Sequence, residues 1–595
     1  MTLFPRRLQN TAISPTLLPK DDYAREIINI IPNTNKAGSG AKRFGVGAKG
    51  SEVAGTTIKD GPFEFRKSDG TIQLLVYCAN GALKAFDEDA GTYSDVKTGL
   101  TTTGTIGSLP FNNKLIFWNG IDRCFSWDGA TATDLGEWVE DVLMANPTQV
   151  DTNTITLEPE PGRADYANGT QVRVTFETAG AVTGTVASTS GTTTLTINVG
   201  GTPFPNPNQT ITKVEYFGYP PAFSFMFAEH DMLWGLTPGE LRARRFRGND
   251  GMKVYFQAAL NNENSWFDYA GDEPTQDVPF INLSNKIKKF DELVAISSLD
   301  GNLCFHGRSH LIIYTGNNPL AAGEFVWVKT MPVGTLHQKL VQPFPGDVLF
   351  VTPYGARSLR KVFQTEAAEV VADLGSDIDP TIQAKVATLL AGDDEYKKAR
   401  SFYYDRDGLY GFKLDDEGLL IYLLSEESKG WVTFTGHFAD ASGFCGTTDG
   451  RLLLTRGAQL HAYANGTDAD AGEAFSDDDE AIACSWWMPW LQAAGGRWGN
   501  RMFEILVEQT ASGIITIERF INYNERNVVT TQVEIEAMGA EWDESMFDEP
   551  EDPWDGAVTN PVVEDKFLAD NFACRLSHAD TEGPRSILGI RPIGR

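Results

Sequence analysis

From about Phe63 onward, apolar and polar residues alternate in short runs bounded by Gly, Asn and Asp. A two-residue period puts one face of each run in a core and the other toward water, which predicts strands. The runs recur as a unit: an apolar strand, a tight turn, then a second strand ending in an aromatic. Four stretches carry it: Ile72 to Phe86 turning at Asn80-Gly81, Leu115 to Trp127 turning at Asn119-Gly120, Leu293 to Tyr314 turning at Asp300-Gly301, and Phe402 to Phe434 turning at Asp407-Gly408 and Glu417-Gly418. Asn-Gly and Asp-Gly supply the positive φ angles of type I′ hairpin turns. Met232 to Phe246, Val348 to Leu359 and Phe444 to Leu460 repeat the pattern. Hairpins in series with few helices between them predict a mainly β chain built on a β-propeller, whose radial repetition leaves few sheet edges open.

Other segments break the rhythm. Lys20 to Ile31 places Tyr23, Ile27, Ile28 and Ile31 on one stripe before Pro32, which predicts a helix. Between Pro147 and Tyr216, Thr alternates with Ile, Leu and Val, as expected of a small inserted β-sandwich-like domain. Asp379, Pro380, the stripe Ile382, Val386, Leu389 and Leu390, and then Gly392 predict a second helix, with Asp379 as its N-cap. Beyond Tyr463 an acidic loop, Asp468 to Glu480, leads to Trp486-Trp487-Met488-Pro489-Trp490 and further alternating strands, and a second loop, Glu541 to Asp555, carries eight carboxylates. The expected division is an N-terminal arm and helix at 1–62, first blades at 63–146, the inserted β domain at 147–216, remaining blades at 217–463 and a C-terminal β domain at 464–595.

Charge narrows the function. Fifty basic against 80 acidic residues leave a formal charge of −30, while 41% hydrophobic residues are enough for several packed cores. Such a chain is a poor candidate for reading nucleic-acid sequence, because Lys and Arg contacts to phosphate supply most of that affinity. It can still touch DNA transiently. Cys78, Cys124, Cys304, Cys445, Cys484 and Cys574 are scattered, mostly in apolar runs, and read as buried free thiols made in a reducing compartment. The first twenty residues lack the apolar core of a secretory signal, and apolar runs such as Leu419 to Leu424 are far shorter than the roughly 20 residues of a membrane helix.

Local motifs for chemistry are weak. Gly45-Val46-Gly47-Ala48-Lys49-Gly50 fits GxGxxG, but no helical stripe follows it, so a plain loop is expected rather than a nucleotide cradle. Asp477-Asp478-Asp479-Glu480 lacks the spaced oxygen pattern of a calcium loop and reads as solvated charge. His306 and His310 fall on a strand-turn-strand with no third ligand apparent. The expectation is therefore no enzyme, no catalytic residues, no cofactor and no metal. Arg242, Arg244, Arg245 and Arg247 stand out against the acidic background, either as ion pairs between blades or as a contact for an acidic neighbouring subunit.

Several motifs in order carry a family resemblance. Asn29-Ile30-Ile31-Pro32 followed by Lys42-Arg43-Phe44-Gly45, Phe217-Gly218-Tyr219-Pro220-Pro221 leading to His230-Asp231-Met232-Leu233-Trp234, Asn264-Ser265-Trp266-Phe267-Asp268, Leu303 to Ser309, and Gly346-Asp347-Val348-Leu349-Phe350-Val351-Thr352-Pro353-Tyr354-Gly355-Ala356-Arg357-Ser358-Leu359 resemble segments of the tail nozzle, or packaged-DNA stabilisation, proteins of short-tailed bacteriophages. The resemblance spans about residues 25 to 460. It implies a structural virion protein, a β-propeller assembling as a homohexamer below the adaptor and portal rings, meeting tail fibre or needle proteins, retaining packaged DNA and conducting it at ejection. It also implies assembly in the host cytoplasm and residence in the virion tail. Six copies would carry 6 × −30 = −180 charges, so their wall would repel phosphate. On this reading Asn29, Pro32, Lys42, Arg43 and the four arginines at 242–247 are candidates for the subunit or adaptor interface. The rival reading is a receptor-binding or glycan-degrading tail component, since Trp-rich β domains with many carboxylates also suit sugars; a cellular propeller acting as an interaction platform is a third.

Overall fold

The computed structural model of the chain describes all residues except 1, 4–7, 16, 19–22, 33–39, 141–146, 157–167, 191–193, 200–202, 206–208, 238–251, 268–277, 288–290, 320, 322, 366–372, 392–397, 425–428, 464–475, 493–497, 508–512, 536–561, 581–585 and 594–595. Five small antiparallel sheets follow one another as propeller blades, at 58–97, 107–134, 225–282, 293–331 and 341–358. The first four have four strands and the fifth three, followed by the helices Leu359–Thr365 and Asp379–Ala391. Two more four-stranded units of the same build belong to a larger sheet: 400–434, and 443–463 completed by the strand Val46–Lys49.

Apolar side chains join each unit to the next. Phe65 and Leu75 pack with Phe117 and Phe125. Ile116 and Trp118 meet Met226 and Leu233. Trp234 and Phe256 meet Phe305, and Ile313 meets Phe350. Leu349 and Val351 pack with Tyr410, Phe412 and Trp431 over Ile382 and Val386 of the long helix. Phe402 and Ile421 meet Leu452 and Tyr463, and Leu453 and Leu460 return to Leu74 and Phe86. The seventh unit thus packs on the first and the ring is closed. Closure gives each of these seven units an apolar neighbour on both sides among the described residues, which suits strands with one apolar face.

The ring is fastened by strand exchange between the chain's two ends. Val46–Lys49 pairs antiparallel with Gln459–Tyr463 as the outermost strand of the seventh unit. At the seam, Gly443 packs so tightly against the Gly61 carbonyl that a Cβ there would overlap it.

An inserted domain leaves after the second blade and returns before the third. Its seven strands, Glu137–Glu140 through Ile211–Gly218, form one antiparallel sheet wrapped around a single core of Ile155, Val172, Val174, Phe176, Ile197, Phe204, Val214 and Tyr216. A C-terminal β domain follows, in which Glu480–Trp487, Asn571–Asp580, Gly513–Ile521 and Asn524–Ile535 run side by side, and Trp498–Val507 pairs with Val562–Ala569 and Ser586–Ile593.

The expected N-terminal helix is corrected to strands. Glu26–Ile28 and Ile30–Pro32 flank Asn29, whose φ of 54° kinks the chain between them. The first strand lies between Lys429–Phe434 of the sixth unit and Glu480–Trp487; the second pairs with Gly40–Lys42, which pairs with Ser586–Ile593. The N-terminal segment is therefore woven into the C-terminal domain rather than projecting as an arm.

Candidate functional site

Where these woven segments cross, the chain buries charge. Arg43 is fully buried and all five of its N–H donors are used: Nε donates to Asn29 Oδ1 (2.9 Å), Nη1 to the Phe44 carbonyl (2.8 Å) and Asp477 Oδ1 (3.0 Å), and Nη2 to the Thr435 carbonyl (3.0 Å) and Asp477 Oδ2 (2.6 Å). Only a guanidinium presents this planar fork, so the site specifies Arg and excludes Lys. The Arg43 guanidinium also lies 4.9 Å from the Phe438 ring centre. Gly436, at φ 71°, admits the pair, since a Cβ there would press on Asp477 Oδ2.

One residue further along, Asp478 collects two histidines. His437 sits on the short helix His437–Asp440 and His461 on the outer strand Gln459–Tyr463. Their Nε2 atoms lie 2.8 and 2.9 Å from Asp478 Oδ2. Asp478 Oδ1 accepts from the Ala48 N–H (2.7 Å), and the Asp478 N–H donates to the Val46 carbonyl (2.9 Å), so the same residue grips the ring-closing strand. Both rings are almost wholly buried, while the Asp478 side chain is 29% exposed. Burial pushes the Asp478 carboxyl upward, but the His437 hydrogen bond and the charges of both histidines outweigh it and hold it below the usual range. Burial likewise pulls His461 below an ordinary histidine against the opposing pull of Asp478. These are two imidazoles and a carboxylate within mutual reach of one small cation.

A second charged group joins units far apart in the ring. Asp60, on the first strand of the first blade, pairs with the Lys339 amine and sits 3.4 Å from Arg400 Nη2 of the sixth unit. Lys339 belongs to the turn Gln338–Leu340, whose Gln338 donates to Thr105 Oγ1 (3.2 Å) at the entry to the second blade. That turn precedes the fifth blade, so it ties the fifth and sixth units to the first two. Burial and the Arg400 charge pull the Lys339 amine down from 10.5 to about 8 despite Asp60.

The candidate interface residues are therefore placed inward. Asn29, Lys42 and Arg43 are buried and Pro32 is half-buried, with Asn29 donating to Thr435 Oγ1 (2.6 Å) and the Ala483 carbonyl (2.7 Å). Asn29 and Arg43 hold the chain to itself, and Pro32 keeps part of its surface open. Arg242, Arg244, Arg245 and Arg247 lie outside the described residues, as does the loop from Glu541 to Asp555. The GxGxxG stretch is the ring-closing strand, not a loop, and Gly45 packs on the Ser476 backbone too closely for any Cβ. Asp477 and Asp478 are engaged in ion pairs rather than being solvated charge. His306 and His310 part company: His306 Nε2 lies 2.7 Å from Ser297 Oγ, whereas His310 Nδ1 lies 3.1 Å from Asp291 Oδ2. Ser297 and His306 form a nucleophile–base couple in outline, yet both are buried, the His306 ring meets Phe350 at 5.3 Å, and burial lowers its pKa to about 3. A base that weak, without access, serves packing. No local spacing could have joined residues 437, 461 and 478; only ring closure does.

No family model and no curated protein matches the chain. Among solved structures, the computationally designed Ika8 protein aligns over 71% of this chain and 99% of its own at 9% identity and a TM-score of 0.32. A streptogramin B lyase structure aligns over 70% of this chain and 96% of its own at 11% identity and a TM-score of 0.25. Likenesses this slight carry no argument about what the chain does.

Proposed function

We propose that the chain is a non-enzymatic structural component of a short-tailed phage tail nozzle, assembling as a ring of six beneath the adaptor and portal. The ordered motifs between about residues 25 and 460 support this reading, and the observation that carries it is where the most extended motif falls. Gly346 to Leu359 spans the last two strands of the fifth blade and the first residue of the helix after it, and its characteristic residues are fastenings. Gly346 turns at φ 82°. Asp347 accepts from the Val348 N–H (2.7 Å), the Arg360 N–H (2.9 Å) and the Ser358 hydroxyl. Arg357 bonds Asp379 (2.9 Å) at the start of the long helix. A motif that maintains a blade suits a building block rather than a ligand site.

The contacts of Gln338 and Lys339 with Thr105, Asp60 and Arg400 tie distant units of the ring together, which suits a rigid building block. In a ring of six, DNA would travel along the axis between subunits. With a formal charge of −30 per chain, such a wall offers phosphates few holding contacts. Light scattering on the purified chain, alone and mixed with adaptor and portal rings, tests the proposal. Six copies per docked ring are expected; a trimer, or failure to join the rings, overturns it. Release of reducing ends from host polysaccharide, lost on changing one carboxylate to Ala, would favour the glycan-degrading alternative.

A further inference from the structure

We infer that His437, His461 and Asp478 form a binding site for one zinc-type divalent cation that pins the ring-closing strand to the last blade unit. The donor set is two imidazole nitrogens and one carboxylate oxygen, which suits borderline ions such as Zn²⁺ better than oxygen-seeking Ca²⁺ or Mg²⁺. The three atoms lie within 4.8 Å of one another. Two of the separations, 2.8 and 2.9 Å, are those of hydrogen bonds. Tetrahedral ligands at about 2.0–2.1 Å from Zn²⁺ stand roughly 3.3 Å apart, so the two imidazole–carboxylate separations must open by about half an ångström while the imidazole nitrogens, within 4.8 Å of each other, settle to the same spacing. Water through the exposed edge of Asp478 would complete the shell.

Without a cation, His461 Nε2 faces Asp478 Oδ2, while His437 Nε2 stands between Asp478 Oδ2 and the Arg456 Nη1 donor. With one, the Nε2 lone pairs face the ion and the ring protons sit on Nδ1. His437 Nδ1 then faces Asp477 Oδ2, now 4.0 Å away, giving the carboxylate–histidine–metal relay that orients such ligands. His461 is buried, and besides Asp478 its ring meets the Gln459 backbone of its own strand. One group opposes the ion: Arg456 Nη1 stands 3.1 Å from His437 Nε2. Its side chain is 35% exposed and its Nε lies 3.5 Å from Asp440, so it has a place to swing.

The full-length chain, stripped with chelator, is titrated with Zn²⁺ and separately with Co²⁺. Three readouts are taken: bound metal after desalting, visible Co²⁺ absorption, and amide exchange of residues 46–49. One equivalent per chain, a tetrahedral Co²⁺ band, and roughly hundredfold slower exchange at 100 times the Kd are expected. His461→Gln and Asp478→Asn abolish all three. Arg456→Met, which removes an exposed cation without touching a ligand, binds more tightly. Absence of stoichiometric metal in the wild type overturns the inference, as does undiminished binding in folded His461→Gln or Asp478→Asn. If those two variants fail to fold, Arg456→Met decides: unchanged or weaker binding overturns it.

Discussion

Replacing Arg43 with Met keeps the alkyl stem against Phe438 and removes the guanidinium. Five acceptors each lose a donor at once: Asn29 Oδ1, which keeps the Thr435 N–H at 2.9 Å, the Phe44 and Thr435 carbonyls, and both oxygens of Asp477. Asp477 keeps the more distant His437 N–H at 3.3 Å, and it is only 3% exposed, so little water reaches it. Breaking one side of a buried pair costs about 3–5 kcal/mol. Each 1.4 kcal/mol is tenfold, so local opening should rise roughly a hundred- to several-thousand-fold. Because a chain with several domains does not unfold in one step, the assay is hydrogen exchange over residues 40–49, 435–440 and 476–480 rather than a single melting temperature. The double variant Arg43→Met with Asp477→Leu removes the stranded carboxylate and should recover much of the loss, giving a coupling term well above the roughly 0.5 kcal/mol of independent sites. Exchange within tenfold of wild type in Arg43→Met, or a double variant no better than the single, would refute the claim that this pair fastens the chain's two ends.

Three further outcomes are expected. Lys339 has a folded pKa of about 8, below its ordinary 10.5, so the unfolded chain binds more protons between those values and stability should climb as pH rises from about 8 to 10.5; comparing wild type with Lys339→Met across that window isolates the effect, and parallel pH curves would contradict it. Gly443→Ala forces a methyl onto the Gly61 carbonyl and should destabilise the seam by about 1–3 kcal/mol, read as faster exchange in residues 58–66 and 443–446. Five of the six cysteines are buried, and burial drives Cys78 to about 11 and Cys124 to about 12, so a thiol reagent should label at most Cys445 quickly in the native chain and all six after denaturation.

The blades were legible because hairpin chemistry is local. Asn80-Gly81, Asp300-Gly301 and Asp449-Gly450 turn where their residue types demand, with Gly81, Gly301 and Gly450 at φ 79°, 76° and 84°. The helix at Asp379 was legible for the same reason, although it begins on Asp379 itself, whose carboxylate is held by Arg357. The N-terminal strands were misread through one residue. Asn29 in the left-handed region shifts the alternation by one, so Ile27 and Ile30 are the buried pair, whereas Ile28 and Ile31 of the expected stripe are only half-buried. The Gly45 to Gly50 stretch and Asp477 were opaque for a different reason: their partners, such as Arg43 for Asp477 and Ala48 for Asp478, are separated by 434 and 430 residues, while the histidines of Asp478, 41 and 17 residues away, follow no motif spacing.

The proposed nozzle role makes this chain one of six building blocks around a shared DNA path, and cryo-electron microscopy of filled particles is its sharpest test. Six copies below the adaptor with duplex density on their common axis are expected. A trimeric spike, or duplex density running through a single propeller, would contradict it.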